Sequence, residues 1–531
     1  MISFCSNIKI IRHKAYRLII KFFFGSLIIV IVSGCEAGTG RDTQTASPTQ
    51  ITPSAEPAPQ VGPTLGVMPS PSVEPSIQAE SSLQKTSTPI SESMPHAEGI
   101  SRGYLITPQE LDAIEKKAEQ GIEPYQSTVQ EVLQWADKEW KFKLNARANC
   151  PSSDSPTWND NSRGTPTLYA KALAYQLTGD VKYAEEVKRI LESIITEVRI
   201  IDIETEECRL VFGWGTPELV ASADLIEDFW WNQTCTGPLG IDYKDNEIGT
   251  GNCKELFQNW LVKNPYYIVS YSAVSSKSNW GAAATNTTAY IADYLWDRPN
   301  MQLTHRNPRE VNGGKDLKLT PSEAFKYANQ LALDRMNGYG VELRSATSCD
   351  YLGGWQQNSQ WPAIKSQITE AGIIPEDARR EEFCNIPVYN GHYQNYPQIH
   401  LGHNIQQCEL MLRRGDSSCY DNVDNTNIPN YTFIGPDGNT KTTHLYPGRG
   451  SIERAIKAII VDSNTEWRHD SALDVAFRYY FNRHTLPGFE KWANQLKTGL
   501  NCSQDICFGA LTHGFSIESE IPDLPPIVPP P

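Results

Sequence analysis

The sequence predicts an all-α body: an α/α toroid, or incomplete α/α barrel, of helix hairpins joined by long disulfide-pinned loops. Three observations lead there. Helix-start signals recur along the chain, one segment reads directly as an antiparallel helix pair, and alternating strand patterns are scarce. Thr107-Pro108-Gln109-Glu110 is a capping box with proline in the first turn, and it opens a helix running towards Gln120. Pro166–Leu177 and Val181–Ile195 follow, joined by Thr178-Gly179-Asp180. In the second of these, Ala184, Val187, Leu191 and Ile194 recur at spacings of three and four, one face of a helix. A short glycine-containing link between two such helices makes a hairpin. Thr216-Pro217-Glu218 predicts a third helix start, running through Glu227, and Thr320-Pro321-Ser322-Glu323 a capping box for a helix ending near Gly338. Further helical runs are expected at Thr285–Tyr294, Pro397–Arg414, Ser451–Val461, Asp470–Phe481 and Gly488–Leu496. Tyr266–Val274 is the best strand candidate and reads equally well as helix. No repeat of fixed period favours a solenoid.

The ends of the chain are different material. Residues 36–98 hold ten prolines, from Pro48 to Pro95, without one Phe, Trp or Tyr. Such a stretch cannot bury enough apolar surface to offset its conformational entropy. The expected division is a signal segment 1–34, a Pro/Ser/Thr-rich tether 35–99, the folded body 100–520 and a Pro-rich tail 521–531. A basic start leads into the apolar run Phe22–Val32, too short for a comfortable span and proportioned like a signal-peptide core. That run ends Val32-Ser33-Gly34-Cys35, which resembles a bacterial lipobox with Cys35 as the lipidated residue. The expectation is a membrane-anchored lipoprotein facing the periplasm or cell exterior, on a leash of about 45 Å root-mean-square reach.

Ten further cysteines, at 150, 208, 235, 253, 349, 384, 408, 419, 502 and 507, read in an exported chain as disulfides. Local pairs at Cys235–Cys253, Cys408–Cys419 and Cys502–Cys507 are plausible. The chain carries −15 overall, of which residues 1–34 contribute +5 (Lys9, Arg12, Lys14, Arg17, Lys21) and no acid, leaving −20 for the body. A body so acidic argues against general nucleic-acid binding, which needs a basic surface to neutralise phosphates.

Standard hydrolytic and nucleotide signatures are missing: there is no GxSxG, HExxH or P-loop. Three segments stand out instead. In Ser278-Asn279-Trp280-Gly281 an amide able to bond a carboxylate adjoins an indole able to stack on a sugar ring; the plainer alternative is a helix cap beside a core tryptophan. Ile374-Pro375-Glu376-Asp377-Ala378-Arg379-Arg380 offers two guanidinium groups that grip carboxylates bidentately, or a solvated face paired with Glu381 and Glu382. The stretch Tyr389–His403 concentrates His392, Tyr393, Tyr396, His400 and His403, with His400 and His403 on one helix face. No acidic or cysteine ligand of suitable spacing accompanies them, so a cleft wall is expected rather than a metal site.

The order of capping-box helix, Leu-Thr-Gly-Asp hairpin, Asn-Trp, Pro-x-x-x-x-Arg and Tyr-x-Asn-Tyr resembles the alginate lyase domain of the α/α-toroid polysaccharide lyases, over most of Tyr104 to about Leu496. The resemblance implies a catalytic Asn279, Arg380 and Tyr393. Trp280, Arg379, His392, Tyr396 and His400 would contact substrate. It departs from the family at Trp280, where the family has His, and in a longer Arg-to-Tyr interval containing Cys384. The implied reaction is β-elimination on a uronic-acid polysaccharide by a monomer that needs neither cofactor nor metal. An acidic substrate requires a locally basic cleft, with Arg379, Arg380, Arg449 and Arg454 as candidates. Two alternatives stand beside it: an α/α-toroid glycoside hydrolase, and a non-catalytic lipoprotein that captures acidic glycans.

Overall fold

The computed structural model describes residues 99–144, 150, 164–198, 206–235, 252–276, 278–308, 312–337, 374, 377, 396–422, 431–434, 440–443, 451–462, 470–481, 483–484, 506–514 and 528–531. The chain divides into two units, Met1–Pro89 and Ile90–Pro531, and every described residue belongs to the second. Helix accounts for 69% of the described residues, and among them strand is confined to two short antiparallel ribbons. Leu303–His305 (β1) pairs with Leu317–Leu319 (β2), and Tyr431–Ile434 (β3) with Thr440–Thr443 (β4). The all-α class read from the sequence is what folds. The signal segment, the lipobox cysteine and the tether lie outside the described residues, as does the run Gly488–Leu496.

Helix α1 (Pro108–Glu119) starts on the expected capping box, with Thr107 and Glu110 each satisfying the other's backbone N–H. After α2 (Tyr125–Ala136) come α3 (Thr165–Thr178) and α4 (Val181–Glu197). Gly179 sits between them at φ +65°, a left-handed conformation that costs glycine nothing, and the Asp180 side chain caps α4. The predicted stripe Ala184, Val187, Leu191 and Ile194 is fully buried.

The next helix corrects the sequence reading. Thr216-Pro217-Glu218 does not start a helix; it lies inside α5 (Glu206–Leu225). A proline there removes the N–H that would serve the carbonyl of Gly213, four residues earlier. That carbonyl instead accepts from the Thr287 hydroxyl at 2.8 Å. Glu218 is likewise occupied in the interior, accepting from Thr165. Tertiary partners thus keep the helix running through a residue that locally argues for a boundary.

A short helix α6 (Glu227–Trp230) precedes α7 (Cys253–Leu261), which carries an Asn252/Glu255 capping box. A single π-type turn at Val262–Tyr266, containing Pro265, leads into α8 (Tyr267–Ser275), so the ambiguous 266–274 run is helical. Then follow α9 (Asn279–Tyr294), α10 (Pro321–Asn337), α11 (Tyr396–Arg413), α12 (Ile452–Asp462), α13 (Asp470–Tyr480) and the short α14 (Gly509–Thr512). Thr320 and Glu323 form the expected box before α10.

Long-range bonds fix relative directions. Thr165 meets Glu218 near the start of α3, while Gln176 near its end donates to the Leu225 carbonyl, so α3 and α5 run the same way. Arg102 joins the far ends of α5 and α9: its backbone N–H donates to Asp224 and its guanidinium to Asp293. Asn286 donates to Gln406, and Asp293 receives Arg414 just past α11, so α9 and α11 are also parallel. The set α3, α5, α9 and α11 therefore lies side by side, carboxyl ends together, with successive members in contact; α3 begins level with Glu218, well into α5. Contacts continue from α11 to α13, α13 to α14, α14 to α2 and α2 to α3. The Phe508 ring, at the start of α14, meets Trp135 of α2 edge-on at 5.9 Å and Tyr169 of α3 at 6.3 Å.

At the carboxyl ends of α9 and α11 the interior is ionic, and its charges are paired. Asp293 lies between Arg102 and Arg414, and Arg413 between Glu409 and Glu110 of α1. Two residues of the tail bond here: the Val528 N–H donates to the Arg413 carbonyl, and the Pro529 carbonyl accepts from Arg102.

Two expected disulfides, Cys235–Cys253 and Cys408–Cys419, are present. A third, Cys150–Cys208, spans 58 residues and was not legible from spacing. Cys507 is disulfide-bonded too, while Cys502 lies outside the described residues. Disulfides of this kind fit an oxidising, exported setting. No helix among the described residues is long and apolar enough to cross a membrane. Because a cross-link stabilises chiefly by restricting the unfolded chain, the double variant Cys150→Ser/Cys208→Ser is expected to lose about 4 kcal/mol for this loop length. Urea denaturation read by circular dichroism measures the loss, and a change below about 1 kcal/mol contradicts it.

Candidate functional site

The amino ends of α9 and α11 meet around one carboxylate. Ser278 caps α9, so the helix begins on Asn279 itself and the cap reading of Asn279 does not apply. Asn279 is fully buried, and its Nδ2 donates to Asp377 Oδ1 at 2.8 Å. The other oxygen of that carboxylate, Oδ2, lies 2.7 Å from Nδ1 of His400, one turn into α11. Asp377 and His400 are both buried as well.

A cation closes the back of this group. Arg335, near the end of α10, donates from Nη2 to the Ala273 carbonyl at 2.9 Å and from Nη1 to Thr285 at 3.1 Å. It thereby satisfies the carboxyl end of α8, whose last carbonyls have no partner within their own helix. Gly281 makes this approach possible, since a side chain there would run into the Ser276 carbonyl and the Arg335 guanidinium. Burial lowers the His400 pKa most strongly, the hydrogen bond and charge of Asp377 raise it, and Arg335 lowers it again. The net position is below the ordinary imidazole value, so at neutral pH the Asp377–His400 contact joins a carboxylate to a neutral ring. A neutral, oriented imidazole beside an amide can accept a proton and bind an anion.

Of the residues singled out in the sequence, Asn279 and His400 are brought together, although they stand far apart along the chain. Trp280 follows Asn279 and is half-buried, and Tyr396, first residue of α11, is half-buried too. His403 lies buried on the same helix as His400. Arg379, Arg380, His392 and Tyr393 lie outside the described residues, as do Cys35 and Arg449. Arg454 is half-buried on α12. Two members of the group were missed. Asp377 stood in the segment chosen for its arginines, and its signal was an acid two residues after Pro375, just ahead of that pair. Arg335 reads in sequence as an ordinary last-turn cation of a helix.

A second cationic group lies against α8, with Arg209 on α5 and Arg306 directly after β1. The Arg209 guanidinium sits 4.6 Å from the Tyr271 ring centre, and Arg306 sits 5.1 Å from the same ring and 5.2 Å from Tyr267. All four side chains are half-buried. One group has metal-like spacing among the described residues: Glu192, Cys235 and Cys253. Its two sulfurs are joined to each other, which leaves no thiolate to ligate an ion.

No family model matches the chain, and no curated protein matches it.

Proposed function

We propose that this protein is a polysaccharide lyase that cleaves a uronic-acid-containing, alginate-like glycan by β-elimination on an α/α toroid. On this reading it is tethered outside the cytoplasm through a lipidated Cys35. The observation that carries the reading is the shared carboxylate: Asn279 and His400, each chosen from sequence as a site residue, bond to the two oxygens of Asp377. The residue chain leading to Arg379 and Arg380 leaves from this same Asp377. The toroid is supported by the parallel set α3, α5, α9 and α11 and by contacts that lead from α11 through α13 and α14 back to α2 and α3. The paired guanidinium groups about Tyr271 supply local positive charge to a body that is acidic overall.

In the proposed chemistry the uronate carboxylate is bonded by Asn279 and Arg380, which draw off charge and stabilise the enolate-like transition state. The Asn279 amide has a second N–H besides the one given to Asp377. Tyr393 takes the C5 proton as phenolate, its pKa lowered by the neighbouring guanidinium, and a phenol protonates the departing O4. The C4–O4 bond breaks without water and leaves a 4,5-unsaturated sugar. Trp280 stacks on a sugar ring, while Arg379, His392, Tyr396 and His400 line the cleft.

The test is a panel of uronans offered to the purified protein, with the ultraviolet absorbance of the conjugated product as readout. Tyr393→Phe is expected to reduce the rate by about a thousandfold or more. Unchanged turnover removes Tyr393 from the reaction. New reducing ends without conjugated product favour a hydrolase, and tight binding without turnover favours a capture protein.

A further inference from the structure

We propose that Asp377 is a positioning residue, which fixes the orientation of the Asn279 amide and the tautomer of the His400 imidazole so that both act as one unit. This rests on the lyase reading and deepens it. The argument is one of donors and acceptors. A carboxylate offers two oxygens and no proton, so both neighbours must present hydrogens to it. Asn279 therefore turns its nitrogen towards Asp377, as the 2.8 Å contact to Oδ1 requires, and its amide oxygen faces away. That oxygen has no hydrogen-bond partner among the described residues. His400 must carry its proton on Nδ1, 2.7 Å from Oδ2, which leaves Nε2 as the basic nitrogen on the opposite side of the ring.

Asp377 supplies an orientation that the shape of neither side chain sets by itself. An asparagine amide is nearly symmetric in shape, and a neutral imidazole has two tautomers of similar energy. The acid also spans two helices: Asn279 opens α9 and His400 lies in the first turns of α11. It supplies an oriented imidazole from α11 to a chain whose residue next to Asn279 is Trp280. Burial of all three groups removes competing water, so the arrangement is held by these bonds rather than by solvent.

Two measurements test the proposal. Nitrogen-15 NMR of histidine-labelled wild-type protein at neutral pH is expected to show His400 neutral with its hydrogen on Nδ1; a ring protonated on Nε2 alone overturns the proposal, and no variant is needed. The second measurement is Asp377→Asn, which keeps the shape but offers a single acceptor oxygen. It is expected to lower kcat on the uronan that the wild type cleaves by about a hundredfold. It should also move the acid limb of the kcat/KM profile to lower pH, because the raising influence of Asp377 on His400 is gone. A merely structural role would lower stability without moving that limb. Unchanged kcat and an unmoved profile in a folded variant overturn the proposal. A wild type that cleaves no uronan sinks the lyase reading, while the NMR result still decides whether Asp377 orients His400.

Discussion

Replacing Asp293 by alanine is expected to cost 3–5 kcal/mol of folding stability, about the range for removing one partner of a buried charge group. The carboxylate is fully buried and receives Arg102 from Nε and Nη2 at 3.3 and 3.0 Å, and Arg414 from Nε and Nη2 at 2.8 and 2.7 Å. Without it two guanidinium groups face each other in the interior with no shared anion. Neither can shed its proton, so the cost cannot be relieved by neutralisation. The same group gives a pH signature. Although burial alone would raise the Asp293 pKa, the two arginines hold it at about 2, below the ordinary 3.8. A depressed carboxyl contributes stability that is complete above the unfolded value and is lost as pH falls through the folded one. Wild-type stability should therefore decline by about 2 kcal/mol on this account between roughly pH 4 and 2. The alanine variant should lack that part of the decline. Urea melts of both proteins across this range measure it, and a neutral-pH loss below about 1 kcal/mol refutes the assignment.

Gly281→Ala is the second large effect. An ideal Cβ at this position would lie 2.0 Å from the Ser276 carbonyl oxygen and 3.0 Å from Arg335 Nη2. The arginine tip can move, but the carbonyl belongs to the backbone that joins α8 to α9, only five residues earlier. The helices must therefore separate, at a cost of roughly 3 kcal/mol, the upper part of the range for overpacking. The shift would act first on the Asn279 amide, two residues away in the same turn. Thermal unfolding followed by circular dichroism should show the lowered midpoint, and on the proposed lyase reading uronan turnover should fall more steeply than the folded fraction. An alanine variant as stable as wild type would mean that α8 and α9 do not approach as described.

What the sequence revealed was mostly local. The capping boxes at Thr107 and Thr320 and the Gly179 hairpin depend on residues within a few positions of one another, and each folds as read. Pro217 misled because its local meaning is overruled from α9, where Thr287 serves the carbonyl that proline leaves without a partner. The Cys150–Cys208 bond was invisible for a related reason, since 58 residues intervene and spacing carries no pairing information at that range. At the candidate site, amide and imidazole chemistry was legible from residue type. Asp377 was not, because nothing local distinguishes a carboxylate that will be buried between two helices from one on a solvated face.

The common direction of α3, α5, α9 and α11 has an electrostatic consequence. Aligned peptide dipoles leave roughly half an elementary positive charge at the start of each helix. Three such ends, those of α5, α9 and α11, lie level with one another and add to a field that no count of lysines and arginines records. At the amino ends of α9 and α11 that field falls on Asp377, so the backbone itself helps to hold a buried carboxylate in a protein that is acidic overall.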